Sequence, residues 1–225
     1  MRRLVILRPE PGASATAARA RAMGLEPVTM PLFKVEAVDW EAPDPGSFDA
    51  LLLTSANAVR YAGERLRSLR QLPVYAVGEA TAAAAREAGF DIASTGDTGI
   101  ERLLGSIPPE LRLLHLCGEH RIEPQAPQAI TAVPVYRSNA LPMPGDFRRI
   151  EGQVAAVHSP RAGQRLGELA DRGGIDRSTV RIAAISEAAA SAAGPGWERC
   201  EAADAPDEAA LLALAARLCD NRPQT

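Results

Sequence analysis

The feature that most constrains this chain is a repeat. Residues 48–59, Phe-Asp-Ala-Leu-Leu-Leu-Thr-Ser-Ala-Asn-Ala-Val, align with residues 152–163, Gly-Gln-Val-Ala-Ala-Val-His-Ser-Pro-Arg-Ala-Gly. Each stretch reads as an apolar strand, a serine and the start of a helix. Residues 74–82, Val-Tyr-Ala-Val-Gly-Glu-Ala-Thr-Ala, align with residues 182–190, Ile-Ala-Ala-Ile-Ser-Glu-Ala-Ala-Ala, and Gly89-Phe90 aligns with Gly196-Trp197. The spacing is 104 residues at the first match and 107 to 108 at the later ones. A period this long indicates two similar domains and excludes a solenoid of short repeats. The 225 residues are enough for two small domains.

Short apolar runs alternate with alanine-rich helical stretches. Strands are expected at 3–7, 27–30, 50–53, 74–77, 111–116, 154–157 and 180–185. Helices are expected at 13–23, 57–69, 80–88, 100–106, 162–172, 187–193 and 207–219. Strands that are apolar throughout, such as Ala50–Leu53, belong in a parallel sheet covered on both faces. The fold class is therefore α/β, with two similar domains of parallel sheet flanked by helices. Strands 3–7 and 111–116 also look equivalent, yet each precedes the wrong partner in sequence order. Residues 32–38 and 133–138 have strand character and no match inside a domain, so they read as a two-stranded linker. Domain A is then discontinuous, 1–31 plus 139–225, and domain B is 39–132.

Composition removes several functions. The net charge is −3 and the isoelectric point about 5.7, which disfavours a general nucleic-acid binder. No apolar run approaches the ~18 residues of a membrane span, and the start of the chain reads as a strand, not as an export signal. The three cysteines, Cys117, Cys200 and Cys219, form neither a disulfide framework nor a zinc pattern, so a reducing cytoplasm is the expected setting. His115, His120 and His158 lack metal-ligand spacing, and no acid completes a triad with His158 and Ser159. Gly78 stands without a G-x-G-x-x-G, so a nucleotide cofactor is disfavoured. No cofactor and no metal are expected. Lys34 is the one lysine among 25 basic residues, so side-chain grips on anions fall to arginine, whose planar fork suits carboxylates.

Four strand-to-helix turns carry small or hydroxyl residues: Thr54-Ser55, Gly78 to Thr81, Ser159-Pro160, and Ser186. In a parallel sheet these lie at the carboxyl edge, where doubly wound folds bind ligands, and each presents helix N–H groups to an anion. A serine in such a turn is also the ordinary helix N-cap. Two domains facing each other with such turns would hold a ligand bearing several negative groups.

These residues carry a resemblance. The matching stretches are Leu7-Arg8-Pro9, Gly24-Leu25-Glu26, Pro31-Leu32-Phe33, Asp49 to Val59, and Val77 to Ala82. Leu116-Cys117-Gly118, Val135-Tyr136-Arg137, Ser159-Pro160, Ile182 to Ala190 and Ala205-Pro206-Asp207 continue it. In order and spacing they resemble the uroporphyrinogen-III synthase family over essentially the whole chain. The resemblance implies a cytoplasmic, monomeric, cofactor-free cyclising lyase of haem biosynthesis. Its substrate would be the tetrapyrrole hydroxymethylbilane, with no nucleic-acid or membrane partner. It implies Tyr136 as the catalytic acid. Substrate binding would fall to Arg8, Thr54, Ser55, Gly78, Thr81, Gly118, Arg137, Ser159, Arg161 and Ser186, with Arg121 also near these turns. Two departures stand out. Ala188 and Ala189 occupy places where the family commonly has threonine, and the segment after Cys117 is short and interrupted by Pro124 and Pro127. The alternative is a two-domain module that binds a small polyanion without chemistry.

Overall fold

The computed structural model describes residues 1–220 except 97, 98 and 122. It divides into two compact units, residues 1–34 with the chain from 140 onward, and residues 35–139. The first unit is built on β1 (Leu4–Ile6), β2 (Pro27–Thr29), β9 (Val154–Val157), β10 (Arg181–Ala184) and β11 (Arg199–Ala202). All pair in parallel, in the order β11-β10-β9-β1-β2. This is the doubly wound arrangement in which the chain starts in the middle and moves outward in both directions.

Strand alternation divides the side chains of this sheet between two cores. Val5, Leu7, Ala155, Val157 and Ile182 meet α5 (Pro160–Gly173) and α6 (Glu187–Ala192). Leu4, Ile6, Val154, Ala156 and Ala183 meet α1 (Gly12–Ala22) and α7 (Glu208–Cys219). Helices α5 and α6 pack backbone to backbone. A Cβ added at Gly163 would lie 2.5 Å from the Ala189 carbonyl oxygen, and one at Gly167 would lie 2.9 Å from that of Ala193.

The sheet of the second unit is formed by β3 (Phe33–Ala37), β4 (Ala50–Leu53), β5 (Val74–Val77), β6 (Ile92–Gly96), β7 (Arg112–Gly118) and β8 (Ala129–Ala140), in the order β3-β8-β7-β4-β5-β6, with Phe33, Lys34 and Ala140 at its strand ends counted to the first unit. Helices α2 (Ala56–Tyr61) and α3 (Glu79–Glu87) cover one face, and α4 (Ile100–Gly105) covers the other. Strand β3 runs antiparallel to β8. The Val38 N–H donates to the Val135 carbonyl at one end, and the Leu141 N–H donates to the Leu32 carbonyl at the other.

Register makes the two sheets equivalent. Leu51 pairs with Val74 as Ala155 pairs with Ile182, and Ala50 pairs with Leu113 as Val154 pairs with Leu4. So β4, β5 and β6 match β9, β10 and β11, while β7 and β8 match β1 and β2. Along the chain, the first two strands of each repeat lie in the sheet completed by the other repeat's last three. The wrong partner seen in the sequence is this exchange. One part of the match fails: β1 and β2 are joined by α1, whereas residues 119–128 between β7 and β8 contain no helix among those described. Gln128 closes that connection by donating its side-chain amide to the Leu104 and Ile107 carbonyls.

Three expectations from sequence need correction. Strands β6 and β11 went unforeseen because both are half-exposed sheet edges with mixed polar sequences, Ile-Ala-Ser-Thr-Gly and Arg-Cys-Glu-Ala. The helix expected at 57–69 stops at Tyr61, because Gly63 takes a left-handed φ of +68° and a 3₁₀ segment (Gly63–Leu69) follows. The strand expected at 133–138 lies inside the longer β8.

The backbone contact between α5 and α6 leads to a stability prediction. Gly163→Ala should cost about 1–3 kcal/mol by overpacking, a fall in Tm of about 2–12 °C. Gly105→Ala, whose new methyl meets nothing within 4 Å, should leave Tm unchanged or slightly raised. Calorimetry on the two variants checks this, and equal Tm values would mean that α5 and α6 can part at no cost.

Candidate functional site

Each unit carries its hydroxyl turns at the carboxyl edge of its own sheet, and three of the serines are helix N-caps. Ser55 accepts from the Asn57 N–H at 3.2 Å, Ser159 from the Ala162 N–H at 3.2 Å, and Ser186 from the Ala189 N–H at 3.3 Å. A capping hydroxyl uses its lone pairs this way and keeps its own proton to donate. Gly78 caps α3 in a left-handed conformation, φ +81°, and no side chain caps that helix. Thr81, in the first turn of α3, is only 4% exposed.

In the second unit, Thr54 follows β4, and its Oγ1 lies 3.1 Å from Nε2 of His115 on the adjacent β7. His115 is 2% exposed. Burial, aided by the Arg121 charge, pushes its pKa down to about 4, so the ring is neutral at pH 7. It lines a pocket of about 230 Å³ with Arg121, Glu123, Pro124, Ile130 and Ala132, on the face that lacks a counterpart of α1. Cys117, at the end of β7, is buried.

Tyr136 lies on β8, half-buried against the core beneath α2 and α3. Burial raises its pKa above 10; the neighbouring Cys117 adds to this, and the Ser55 hydroxyl, within reach of the phenol, pulls the other way. Gly118 is its register partner on β7. Arg137, next along the strand, is exposed.

The register also identifies the counterpart of Tyr136. Leu4 pairs with Pro27 as Leu113 pairs with Ile130. That spacing of 103 sets Pro31-Leu32-Phe33-Lys34 against Pro134-Val135-Tyr136-Arg137. Phe33 is buried, and the Arg161 guanidinium covers its ring at 4.6 Å from the centroid, a cation–π contact. Of the two matched aromatic positions, only Tyr136 carries a hydroxyl.

In the first unit Arg8 follows β1, and its guanidinium already holds a carboxylate. Nη1 lies 2.8 Å from Glu208 Oε2 and 3.3 Å from Thr16 Oγ1. The Thr16 hydroxyl donates to the other Glu208 oxygen, and His158 Nε2 stands 3.6 Å from Glu208, an ion-pair distance beyond a hydrogen bond. Burial alone would raise the Glu208 pKa, but His158, Thr16 and Arg8 together bring it down to about 2. Sequence reasoning missed this cluster. The repeat does pair Thr54 with His158, but nothing links Arg8 to a glutamate 200 positions away.

Two doubly wound α/β units, with hydroxyls, arginines and the Tyr136 phenol near their carboxyl edges, have the make-up of an enzyme acting on a small polyanion. A family model described as uroporphyrinogen-III synthase HemD matches residues 14–213, and the chain belongs to the uroporphyrinogen-III synthase family. A crystal structure of uroporphyrinogen-III synthetase from Helicobacter pylori 26695 matches at 20% identity and TM-score 0.66, covering 97% of this chain and 100% of that one. A mutant uroporphyrinogen III synthase from the extremely thermophilic bacterium Thermus thermophilus matches at 18% identity and TM-score 0.55, covering 97% and 99%. Comparison with curated proteins gives no match. The family is one of cyclising lyases acting on a tetrapyrrole, and membership does not favour the non-catalytic binding module. Among the described residues, no helix is long and apolar enough to cross a membrane.

His115 and Glu208 titrate in different windows. His115 is held neutral in the fold while the unfolded chain protonates it at 6.5, so stability falls as pH drops from about 6.5 to about 4. Glu208 adds stability above its ordinary 4.5, and that stability is lost as pH falls from there toward about 2. Between pH 7 and pH 5 the His115 effect should be about 2 kcal/mol. Urea unfolding at both pH values, with wild type and His115→Ile (Ile6 is the matching residue of the first unit), reads it. The variant should lose less stability on acidification; equal losses would assign the acid sensitivity to other groups.

Proposed function

We propose that the chain converts hydroxymethylbilane to uroporphyrinogen III with Tyr136 as the proton donor. The observation that carries this reading is the single phenol at two matched aromatic positions, beside the Ser55 turn of the second unit. Burial keeps that phenol protonated across the physiological range, and a protonated phenol can serve a leaving hydroxyl as general acid.

The reaction is written for the family's substrate. The terminal hydroxyl of ring A takes the Tyr136 proton and leaves as water, and the pyrrole nitrogen lone pair forms the electrophilic azafulvene. Ring D attacks through its substituted carbon to give a spiro intermediate. Fragmentation and reclosure invert ring D, and the proton released on rearomatisation returns to the tyrosinate. The free bilane closes without inversion, so the larger task is to hold the chain bent. The turns at Ser55, Gly78, Ser159 and Ser186 supply hydroxyl protons and helix N–H groups to the substrate's eight carboxylates, and Arg161 and Arg137 supply charge. Local dipoles outweigh the net charge of −3 at that range. Thr54 contributes through its hydroxyl as His115 leaves it oriented. Arg8 is placed here as the partner of Glu208, and buried Thr81 and Gly118 support the site from behind. The protein is read as a cytoplasmic monomer that needs no cofactor and no nucleic acid.

Tyr136→Phe removes the proton and keeps the ring. Turnover should fall about 10²–10⁴-fold, with product affinity little changed and the residual product still mostly isomer III. Turnover near that of wild type would reduce Tyr136 to a packing residue. Isomer I in excess of the spontaneous background would make it a positioning group.

A further inference from the structure

Gly118 has no conformational reason to be glycine. Its backbone is not among those with positive φ, so any residue could adopt its shape. Space is what requires it. A Cβ built there would lie 2.8 Å from Cε2, 2.9 Å from Cζ and 3.1 Å from the hydroxyl oxygen of Tyr136. Distances under about 3 Å to the hydroxyl-bearing edge of a ring leave no room for a methyl group.

The strand pairing brings the ring there. Cys117 pairs with Pro134, and the next residue, Gly118, pairs with Tyr136, so Val135 is left without a partner on β7. This is a β-bulge, which redirects a side chain and commonly lies beside active sites. Pro134 has no N–H to give the ladder, which suits it to a bulge. As a result, the successive residues Val135 and Tyr136 both pack against one core, which regular alternation forbids. The Glu119 N–H then donates to the Tyr136 carbonyl at 2.9 Å and fixes the backbone just beyond. Cys117, buried beside the bulge, the Ser55 hydroxyl and the Tyr61 ring, its centroid 6.4 Å from that of Tyr136, surround the phenol.

We infer that Gly118 is the seat of the Tyr136 ring. The bare Cα and the bulge at Pro134-Val135 together hold the phenolic oxygen at the Ser55 turn. Gly118 is thus a positioning residue acting through Tyr136, and the inference builds on the proton-donor role proposed above. The first unit contrasts with this: Phe33, the counterpart of Tyr136, is covered by Arg161, and the position matching Gly118 is Pro9.

Gly118→Ala tests this on three readouts. Ultraviolet titration, with Tyr136→Phe subtracted to isolate the group, follows the phenol directly; displacing the ring toward water should lower its pKa toward the ordinary 10. Turnover should fall about 10-fold or more and by no more than Tyr136→Phe costs, and adding Gly118→Ala to Tyr136→Phe should cost under about 3-fold further. Were Gly118→Ala too unstable to assay, the melting temperatures of Gly118→Ala, Tyr136→Ala and the double variant give the third readout. With the ring gone the methyl has room, so the double variant should melt within about 2 °C of Tyr136→Ala. An unmoved phenol pKa would overturn the seat. So would an equal turnover loss in the Tyr136→Phe background, which would make Gly118 a substrate contact, and so would additive melting losses. If Tyr136→Phe alone keeps full turnover, the proton-donor role falls, while the titration and melting readouts still decide the seat.

Discussion

The pairing of each repeat's first strand with the other repeat's third is the constraint on which the rest depends. Parallel ladders between β1 and β9 and between β7 and β4 form the middle of the two sheets. A doubly wound sheet reverses direction at that place, and the strand ends there leave a crevice. The chemistry-bearing residues gather at these two points because the register puts them there. Arg8 and His158 follow β1 and β9, and the carboxyl ends of β7 and β4 bring His115 to Thr54 and set Gly118 beside Tyr136 of β8.

The two units have used the same design differently. In the first, Glu208 from α7 fills the crevice, and Arg8, Thr16 and His158 converge on it. A carboxylate so well partnered stays ionised and fixed, and Arg8 meets it through Nη1 alone. In the second, the described residues between β7 and β8 form no counterpart of α1, His115 stays neutral, and the bulge delivers a phenol. The repeat supplies two equivalent frames, and differences in side-chain size and helix content set a Glu208 cluster in one and the Tyr136 phenol in the other.

Sequence reached the frame more readily than the site. The central strands are apolar throughout because they are buried on both faces, and that pattern needs no partner to be recognised. The edge strands β6 and β11 bury one side only, so they read as loop. Serines before helices were legible because a cap is a local matter between a side chain and the next turn. The Arg8–Glu208 pair, the neutrality of His115 and the bulge that turns Tyr136 depend on neighbours contributed by distant parts of the chain. Only the assembled sheet shows them.

The strand exchange has a consequence for the nascent chain. During synthesis the second unit has all its strands once residue 140 has left the ribosome, while β1 and β2 have been made without the neighbours that complete their sheet. They must wait, with α1 as their only cover, until β9 emerges well over a hundred residues later. Neither half of the sequence, cut at the repeat boundary, contains one whole sheet. A gene fragment carrying a single repeat would therefore expose two unpaired strand edges, and the ancestral single repeat is most simply pictured as a dimer whose two copies traded strands before fusion made the trade permanent.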